Sequence, residues 1–203
     1  MAVPQRLTHL TEEDYLALER AASSRSEFLD GEMFAMAGGS PMHSLIAANV
    51  IRELGNHLRS GPCRPFTSDL RLKVEATGLY TYPDVSVLCG PLQYAAGTDD
   101  TVVNPTVLVE VLSDATEGYD RGEKFRHYRQ MPALQEYLLV SQRQPRIEQF
   151  LRRPGDEWTL RTAEGRDAAL LLPALGVTLA LREVFAGVEF PPASIRPPTP
   201  PRG

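Results

Sequence analysis

Apolar residues in the second half of the chain occur in short runs of strand length, each bounded by glycine, proline or polar residues. Residues 83–89 and 106–112 are the strongest of these runs, and residues 136–140 form a third. Short runs rich in β-branched residues are typical of buried strands. The polar, glycine-containing segment 90–104 predicts a loop between the two strongest strands. Weaker strand candidates are residues 64–67, 70–74, 146–151, 158–162, 170–172 and 177–181.

Three segments have the spacing of helices. Thr11 followed by Asp14 forms a capping pair that predicts a helix through about Ala21. Gly38-Gly39-Ser40-Pro41 leads into a second helix over residues 42–58, and residues 119–130 form a third, with Phe125 and Tyr128 on one side. The second helix has its apolar residues at helical intervals: Leu45, Ile46, Val50, Leu54 and Leu58.

Two turn signals complete the local pattern. Asp30-Gly31 separates two short apolar runs, and this pair favours the type I′ turn of a β-hairpin. Pro154-Gly155 predicts a second hairpin between residues 146–151 and 158–162. Because helices and strands do not alternate regularly, the pattern predicts an α+β fold, with helices on the faces of a mixed sheet.

Length and composition define the domain organisation. A chain of 203 residues suits one domain, assigned here to residues 1–190. The tail over residues 191–203 has six prolines, so we expect it to be disordered. The sequence contains neither a bilayer-length apolar run nor an N-terminal apolar segment typical of a secretory signal. Cys63 and Cys89 are interpreted as reduced thiols, and the chain is expected in the cytoplasm, away from membranes.

The charge balance bears on nucleic-acid binding. The chain has 21 basic and 26 acidic residues and a net charge of −5. This balance argues against tight, sequence-independent binding driven by counterion release. It remains compatible with a phosphodiesterase, because metal-site carboxylates add negative charge until a cation neutralises them.

Glu110 interrupts an otherwise apolar strand. Val107, Val109 and Val111 share one face of residues 106–112, whereas Leu108, Glu110 and Leu112 share the other. Both faces are apolar, so the strand is predicted to be covered on both sides. Burying an unpaired carboxylate costs several kcal/mol or forces protonation. A metal ion or another cation is therefore expected beside Glu110.

Asp84 repeats this pattern at the start of the preceding strand. If the two strands pair, the carboxylates of Asp84 and Glu110 converge and suit Mg²⁺, which prefers oxygen ligands and retains water. The alternative is that Glu110 pairs with a buried arginine or lysine, while Asp84 caps a turn after Pro83. Sequence spacing leaves both interpretations open.

Lys124 is a candidate for stabilising negative charge on a phosphate. Asp120, Lys124 and Tyr128 share one helical face, and the short connection from Glu110 returns the helix start toward the end of the strand. A lysine there could stabilise charge or orient an attacking water. The alternative is a surface pair between Asp120 and Lys124, worth a few tenths of a kcal/mol.

Together these residues resemble the PD-(D/E)xK nuclease superfamily and, within it, the Uma-type family of bacterial restriction-endonuclease-like proteins. The resemblance extends over roughly residues 11–151. Leu112 departs from the superfamily motif, which usually places the lysine there. The matching residues, in chain order, are Glu27-Phe28-Leu29-Asp30-Gly31-Glu32, His43, Pro83-Asp84, Glu110-Val111-Leu112-Ser113, Thr116, Asp120, Lys124, Tyr128, Glu136-Tyr137 and Val140.

The resemblance implies a restriction-endonuclease-like fold and a metal-dependent endonuclease. Asp84 and Glu110 would bind Mg²⁺ or Mn²⁺, Lys124 would be the catalytic lysine moved to a helix, and Glu27 an additional acidic residue. His43 would support the site, although capping or packing at the helix start is an equal alternative. The expected partner is nucleic acid, with DNA preferred, the expected assembly a homodimer, and the expected products a 5′-phosphate and a 3′-hydroxyl.

Two other classes of protein remain open. One is a non-catalytic interaction protein that retains the nuclease fold, which the sequence pI of 5.4 favours slightly. The other is a carboxylate-pair hydrolase such as a glycosidase, which needs no metal and would resist EDTA. Nucleophilic serine or cysteine chemistry has little support, because the sequence has no G-x-S-x-G motif.

Overall fold

A computed structural model describes residues 9–36 and 38–190 of the chain. The proline-rich tail expected to be disordered lies outside the described residues. In that described part, no helix is long and apolar enough to cross a membrane.

The N-terminal helix and hairpin form as the sequence predicts. Helix α1 (Glu12–Ala21) begins after Thr11, whose side chain accepts from the backbone of Asp14 in a reciprocal capping box. Strands β1 (Ser26–Leu29) and β2 (Glu32–Ala35) pair antiparallel. The residues that join them, Asp30 and Gly31, have φ angles of 50° and 80°. The positive φ at both positions explains the Asp-Gly turn.

A six-stranded mixed sheet forms the centre of the molecule, in the order β11-β10-β9-β8-β6-β3. Neighbouring strands are antiparallel except β8 and β9, which are parallel. The predicted hairpin at Pro154-Gly155 connects β10 to β11. The strands of this sheet are β3 (Cys63–Thr67), β6 (Val85–Cys89), β8 (Val107–Val111), β9 (Glu136–Val140), β10 (Arg146–Arg153) and β11 (Glu157–Glu164).

A second sheet of five strands, in the order β2-β1-β5-β4-β7, lies beside the hairpin. It contains β4 (Arg71–Val74), β5 (Leu79–Thr81) and β7 (Thr101–Val102). Strand β5 is absent from the sequence prediction, and β7 lies in the segment predicted to be a loop. Both strands are short and form by pairing with β4, so their own residues give a weak strand signal. A separate hairpin joins β12 (Ala169–Leu172) to β13 (Val177–Ala180).

The longer helices contribute the main packing surfaces. Helix α2 (Pro41–Leu58) starts after Ser40 and contacts β3, as its apolar stripe predicts. The predicted third helix is interrupted: α3 (Glu117–Tyr119) and α4 (Phe125–Tyr128) flank a π-helical turn at Asp120–Lys124. A short helix, α5 (Leu181–Val184), follows β13 where the sequence predicts a strand end.

Strand β8 separates two hydrophobic cores, as its alternation predicts. Val107, Val109 and Val111 pack in one core with α2, α5 and the hairpin of β12 and β13. Leu108 and Leu112 pack in the other core with residues of α4 and the five-stranded sheet. Glu110 lies on the same face of the strand as Leu108 and Leu112 and is 4% exposed.

The interpretation of the two cysteines as reduced thiols is wrong for this structure. Cys63 of β3 lies opposite Cys89 of β6 in the antiparallel register, and the two form a disulfide bond. They are 26 residues apart along the chain, and only the pairing of β3 with β6 places them side by side.

Candidate active site

Asp84 and Glu110 meet at one end of the β6–β8 strand pair. The two strands are antiparallel with Val85 opposite Val109, which places Asp84 opposite Glu110. The backbone N–H of Val111 donates to Asp84 Oδ2 at 2.7 Å, and the backbone N–H of Asp84 lies 3.5 Å from Glu110 Oε2. The β6–β8 strand pairing that brings the carboxyl groups of Asp84 and Glu110 together is therefore present.

Glu110 is held by two donors on the same oxygen. Oε1 accepts from the Tyr128 hydroxyl at 2.8 Å and lies 3.0 Å from Lys124 Nζ. Burial raises the pKa of Glu110 to about 8, and the negative charges of Asp84 and Asp120 contribute to this rise. The Lys124 ammonium opposes the rise without cancelling it. One lysine thus only partly offsets the cost of a charged carboxylate at this position.

Lys124 lies at the centre of a group of carboxylates and is not a surface residue. Its side chain is 7% exposed, and Nζ lies 3.0 Å from Glu110, 3.1 Å from Glu27 and 3.7 Å from Asp120. Burial disfavours its charge, but the three carboxylates together raise the pKa of Lys124 well above its ordinary value. The π-helical turn ends at Lys124, and such turns are frequent at functional sites.

Glu27 joins the group from the five-stranded sheet. It lies in β1, its side chain is 13% exposed, and Oε1 accepts from the Thr81 hydroxyl at 2.5 Å. The Thr81 hydroxyl is also 3.3 Å from the Tyr128 hydroxyl. Glu27 therefore lies at the same edge as Glu110, joined to it through Lys124.

His43 contacts the aspartate and also sits at a helix start. Its backbone N–H is capped by Ser40 Oγ at 3.0 Å, and its Nε2 lies 2.9 Å from Asp84 Oδ1. The hydrogen bond to Asp84, opposed by burial, raises the pKa of His43. The helix start is thus capped by the Ser40 side chain and not by His43, whose imidazole contacts Asp84 instead.

Sequence reasoning missed two residues of this site and underestimated a third. Thr81 and Tyr119 gave no signal, because each acquires its place through tertiary contact: Tyr119 lies with its ring 5.9 Å from Lys124 Nζ. Burial raises the pKa of Tyr119 to about 12, and the nearby charge of Glu27 adds to the effect. Asp120 was recognised on the helical face with Lys124, but its burial at 3% exposure was not expected.

The donor set of the site fits a hard divalent cation. Three carboxyl groups, those of Glu27, Glu110 and Asp120, lie within 3.7 Å of the Lys124 ammonium, and Asp84 adjoins Glu110. Asp84 and Glu110 retain further lone pairs on their oxygens, and Mg²⁺ needs only one or two carboxylates because it keeps several waters. Within residues 9–36 and 38–190, no three His, Cys, Asp or Glu side chains are arranged to hold a metal by themselves. Asp84 and Glu110 are therefore the residues that could hold a cation together with water.

A known structure has the same fold. The chain superimposes with a TM-score of 0.70 on a crystal structure titled "a putative nuclease belonging to DUF820" from Anabaena variabilis, over 87% of this chain and 97% of that one. The sequence identity is 18%, so this likeness bears on the fold alone. The fold is thus that of a mixed-sheet, nuclease-like α+β protein, as the sequence predicts.

Sequence relatives cover most of the chain. Two proteins of Synechocystis sp., both described as uncharacterized, are similar to it: slr1290 is 37% identical over 181 residues, 89% of this chain and 94% of its own length. The second, sll1609, is 35% identical over 161 residues, 79% of this chain and 91% of its own length. A family profile described as "Uma2: Putative restriction endonuclease" matches residues 12–182. The chain therefore belongs to the Uma2 family.

Proposed function

We propose that the chain is a metal-dependent endonuclease that hydrolyses phosphodiester bonds of DNA. The observation that carries the proposal is the convergence of Asp84 and Glu110 beside a buried lysine, with more carboxylates than one ammonium can neutralise. Membership of a family described as "Putative restriction endonuclease" agrees with this chemistry.

Asp84 and Glu110 would hold Mg²⁺, or Mn²⁺ in its place. A divalent cation supplies Lewis-acid polarisation of a phosphate oxygen and makes water more acidic. His43 and the Val111 N–H fix the two oxygens of Asp84, while Tyr128 and Lys124 fix Oε1 of Glu110. These contacts hold both carboxylates in place before substrate arrives.

Lys124 is proposed to stabilise charge on the reacting phosphate. Water attacks phosphorus, the bond from phosphorus to the 3′-oxygen breaks, and the 3′-oxygen takes up a proton. The products carry a 5′-phosphate and a 3′-hydroxyl. Negative charge grows on the phosphate oxygens along this path, and a fixed ammonium in a water-poor site stabilises it more than water does. Glu27 would position Lys124 through the contact at 3.1 Å.

Cleavage of plasmid and linear single-stranded DNA by the purified full chain tests the proposal. We expect cutting with Mg²⁺ or Mn²⁺, none in EDTA, and none by Asp84→Ala, a loss of at least about 10³-fold. Calorimetry should show that the same variant no longer binds Mn²⁺. The control is Asp167→Ala, which removes a fully exposed carboxylate.

Three outcomes would contradict the endonuclease proposal. Cutting that persists in EDTA would remove the metal from the mechanism and favour a carboxylate-pair hydrolase. Equal activity of Asp84→Ala and Asp167→Ala would place the chemistry elsewhere. No cleavage by an unmodified chain that binds Mn²⁺ would favour a non-catalytic interaction protein with the nuclease fold.

The proposal includes a homodimer and a cytoplasmic location, both carried by the family resemblance. Sedimentation at several concentrations tests the dimer, which is contradicted by a monomer at every concentration. The Cys63–Cys89 bond is an observation against the cytoplasmic location, because disulfide bonds are rare in reducing compartments. Thiol titration of protein isolated under alkylating conditions tests whether the cysteines are bonded in the cell.

A further inference from the structure

A polar groove opens beside the candidate active site, at the C-terminal ends of β8 and β9. It has a volume of about 250 Å³ and is called the arginine groove below. Its lining includes Leu112, Glu117, Glu148, Arg121, Arg143 and Arg146.

Three arginines reach the groove from separate parts of the chain. Arg121 lies in the π-helical turn, Arg143 in the connection between β9 and β10, and Arg146 at the start of β10. Glu148, 7% exposed, accepts from Arg121 Nη1 with one oxygen and from Arg146 Nη2 with the other. This buried carboxylate fixes two guanidinium groups in one wall, and Glu117 is a second carboxylate partner of Arg121.

The remaining charge partners in the groove are weakly held. Arg143 pairs with Asp114, but their side chains are 65% and 86% exposed, so water screens the pair and its contribution is small. Glu117 accepts from Arg121 Nε at 2.9 Å near the surface. Arg146 Nε is buried and has no hydrogen-bond partner within the described residues. Each guanidinium has five N–H donors, so the three arginines retain donors for an anion.

The groove and the candidate site are separated by about the spacing between neighbouring phosphates of a DNA strand. Leu112 lines it and lies two residues beyond Glu110 on the same face of the strand, a distance of about 6.6 Å along an extended chain. Arg121 directly follows Asp120 in the π-helical turn, whose other end carries Lys124. A strand whose reacting phosphate lies at Glu110 would therefore bring the next phosphate to the arginines.

We propose that the arginine groove binds the phosphodiester backbone of a DNA strand on one side of the cleavage point. The ligand is a backbone phosphate, because planar guanidinium groups donate in pairs to phosphate oxygens and need no particular base. This inference rests on the proposed function.

Binding of a short fluorescent duplex DNA to the full chain in EDTA tests the groove without cleavage. Arg143→Gln combined with Arg146→Gln should weaken binding roughly tenfold. The slope of log affinity against log salt should become shallower by about 1.8, the change for two lost phosphate contacts. Asp114→Asn should tighten binding a few-fold, because it frees Arg143 and leaves the arginines in place.

Arg182→Gln on α5 is the matched control, since it removes one exposed arginine outside the groove and should leave affinity unchanged. Equal affinity and equal salt slope in the double variant and the control would overturn the proposal, as would the absence of DNA binding by the parent chain. Displacement of DNA by micromolar inorganic phosphate at constant ionic strength would also overturn it, in favour of a free-phosphate site.

The two proposals fail separately. A chain that binds DNA through these arginines but never cuts it would disprove the endonuclease and keep the groove. A chain that cuts DNA with an unchanged KM in the double variant would keep the endonuclease and disprove the groove.

Discussion

Two clusters of charged side chains lie on either side of strand β5, and their charge balance differs. Thr81 contacts Glu27 of the active-site cluster, whereas the next residue, Tyr82, donates to Glu19 of a second cluster. The second cluster, called the Arg71 network, consists of Arg20, Arg71, Asp100, Glu19 and Tyr82.

The Arg71 network is electrically balanced. Arg71 is 5% exposed and pairs with Asp100 at 2.7 Å, and Arg20 Nε pairs with the same carboxylate at 2.9 Å. Glu19 accepts from Tyr82 and from the backbone of Ser26. Two arginines thus match two carboxylates, and all of these groups have partners.

The active-site cluster has four carboxyl groups for one lysine, and its central carboxyl, Glu110, has a raised pKa. The two clusters contain similar residue types, and each has a buried cation at its centre, Arg71 in one and Lys124 in the other. Burial of charge alone therefore does not identify a site in this protein. The surplus of carboxyl groups over cations does, together with the raised pKa of Glu110, because a bound divalent cation would stabilise the charged carboxylates.

The largest difference between the two clusters should appear when each loses its central cation. Lys124→Ala should lower turnover by roughly 10²–10³ at saturating Mn²⁺, because the reacting phosphate loses its fixed positive charge. The chain's other lysine, Lys73, pairs with Glu12 at the surface of α1, and Lys73→Ala should leave turnover unchanged. Single-turnover cleavage measures both. Full activity in Lys124→Ala would show that this lysine only neutralises the neighbouring carboxylates and takes no part in the reaction.

Arg71→Ala should lower the stability of the fold without changing the turnover of the folded protein. Removal of the arginine leaves Asp100 with fewer partners and opens space beside Thr101, at a cost of about 2 kcal/mol after allowance for the exposure of Asp100. This corresponds to a fall in Tm of roughly 4–8 °C. Thermal melts and kcat per folded molecule check the expectation. A large loss of kcat with an unchanged Tm would show that the two clusters are not separate.

Tyr128→Phe tests how far hydrogen bonding to Glu110 matters. The variant removes the donor at 2.8 Å but keeps the ring in the core, so we expect roughly a fivefold loss of turnover, equivalent to about 1 kcal/mol. Tyr137→Phe is the matched control, since its hydroxyl donates to the backbone carbonyl of Asp120 and does not touch a carboxylate. Equal losses in the two variants would contradict a specific role for Tyr128.

The two clusters should also differ in the pH dependence of stability without metal, and their two contributions should have opposite signs. Hydrogen bonding to Arg20, against burial, lowers the pKa of Asp100, so its contribution is present above an ordinary pKa of 3.8 and is lost in more acidic solution. The pKa of Glu110 is raised to about 8, so its contribution is complete below its ordinary value of 4.5 and is lost as the pH rises through 8.

Melting curves between pH 3 and 9 in EDTA measure both effects, the range being set by the two pKa shifts. Asp100→Asn should flatten the acid side of the Tm profile, and Glu110→Gln should flatten the alkaline side. If the Tm of both variants changed with pH in the same way, the contrast between a balanced and an unbalanced cluster would be contradicted.

Much of the local structure could be predicted because its causes lie within a few residues. The capping box at Thr11, the Asp30-Gly31 turn and the stripe of α2 depend on short-range hydrogen bonds or helical spacing, and all three are confirmed. The two faces of β8 are confirmed as well, since alternation along a strand needs no knowledge of its neighbours. The short strands β5 and β7 could not be found in this way, because each depends on pairing with other strands: β5 with β1 and β4, and β7 with β4.

The sequence by itself determined the chemical types at the candidate site: two carboxylates on strands, a lysine on the following helix, and an acidic residue in the first hairpin. The tertiary structure alone decided that Lys124 is buried between Glu27 and Glu110, that Thr81 and Tyr119 adjoin them, and that three arginines line one groove. It also decided that Cys63 meets Cys89. The physical reason is sequence separation: these contacts join residues brought together by strand pairing and core packing, and local periodicity records only which face a residue occupies.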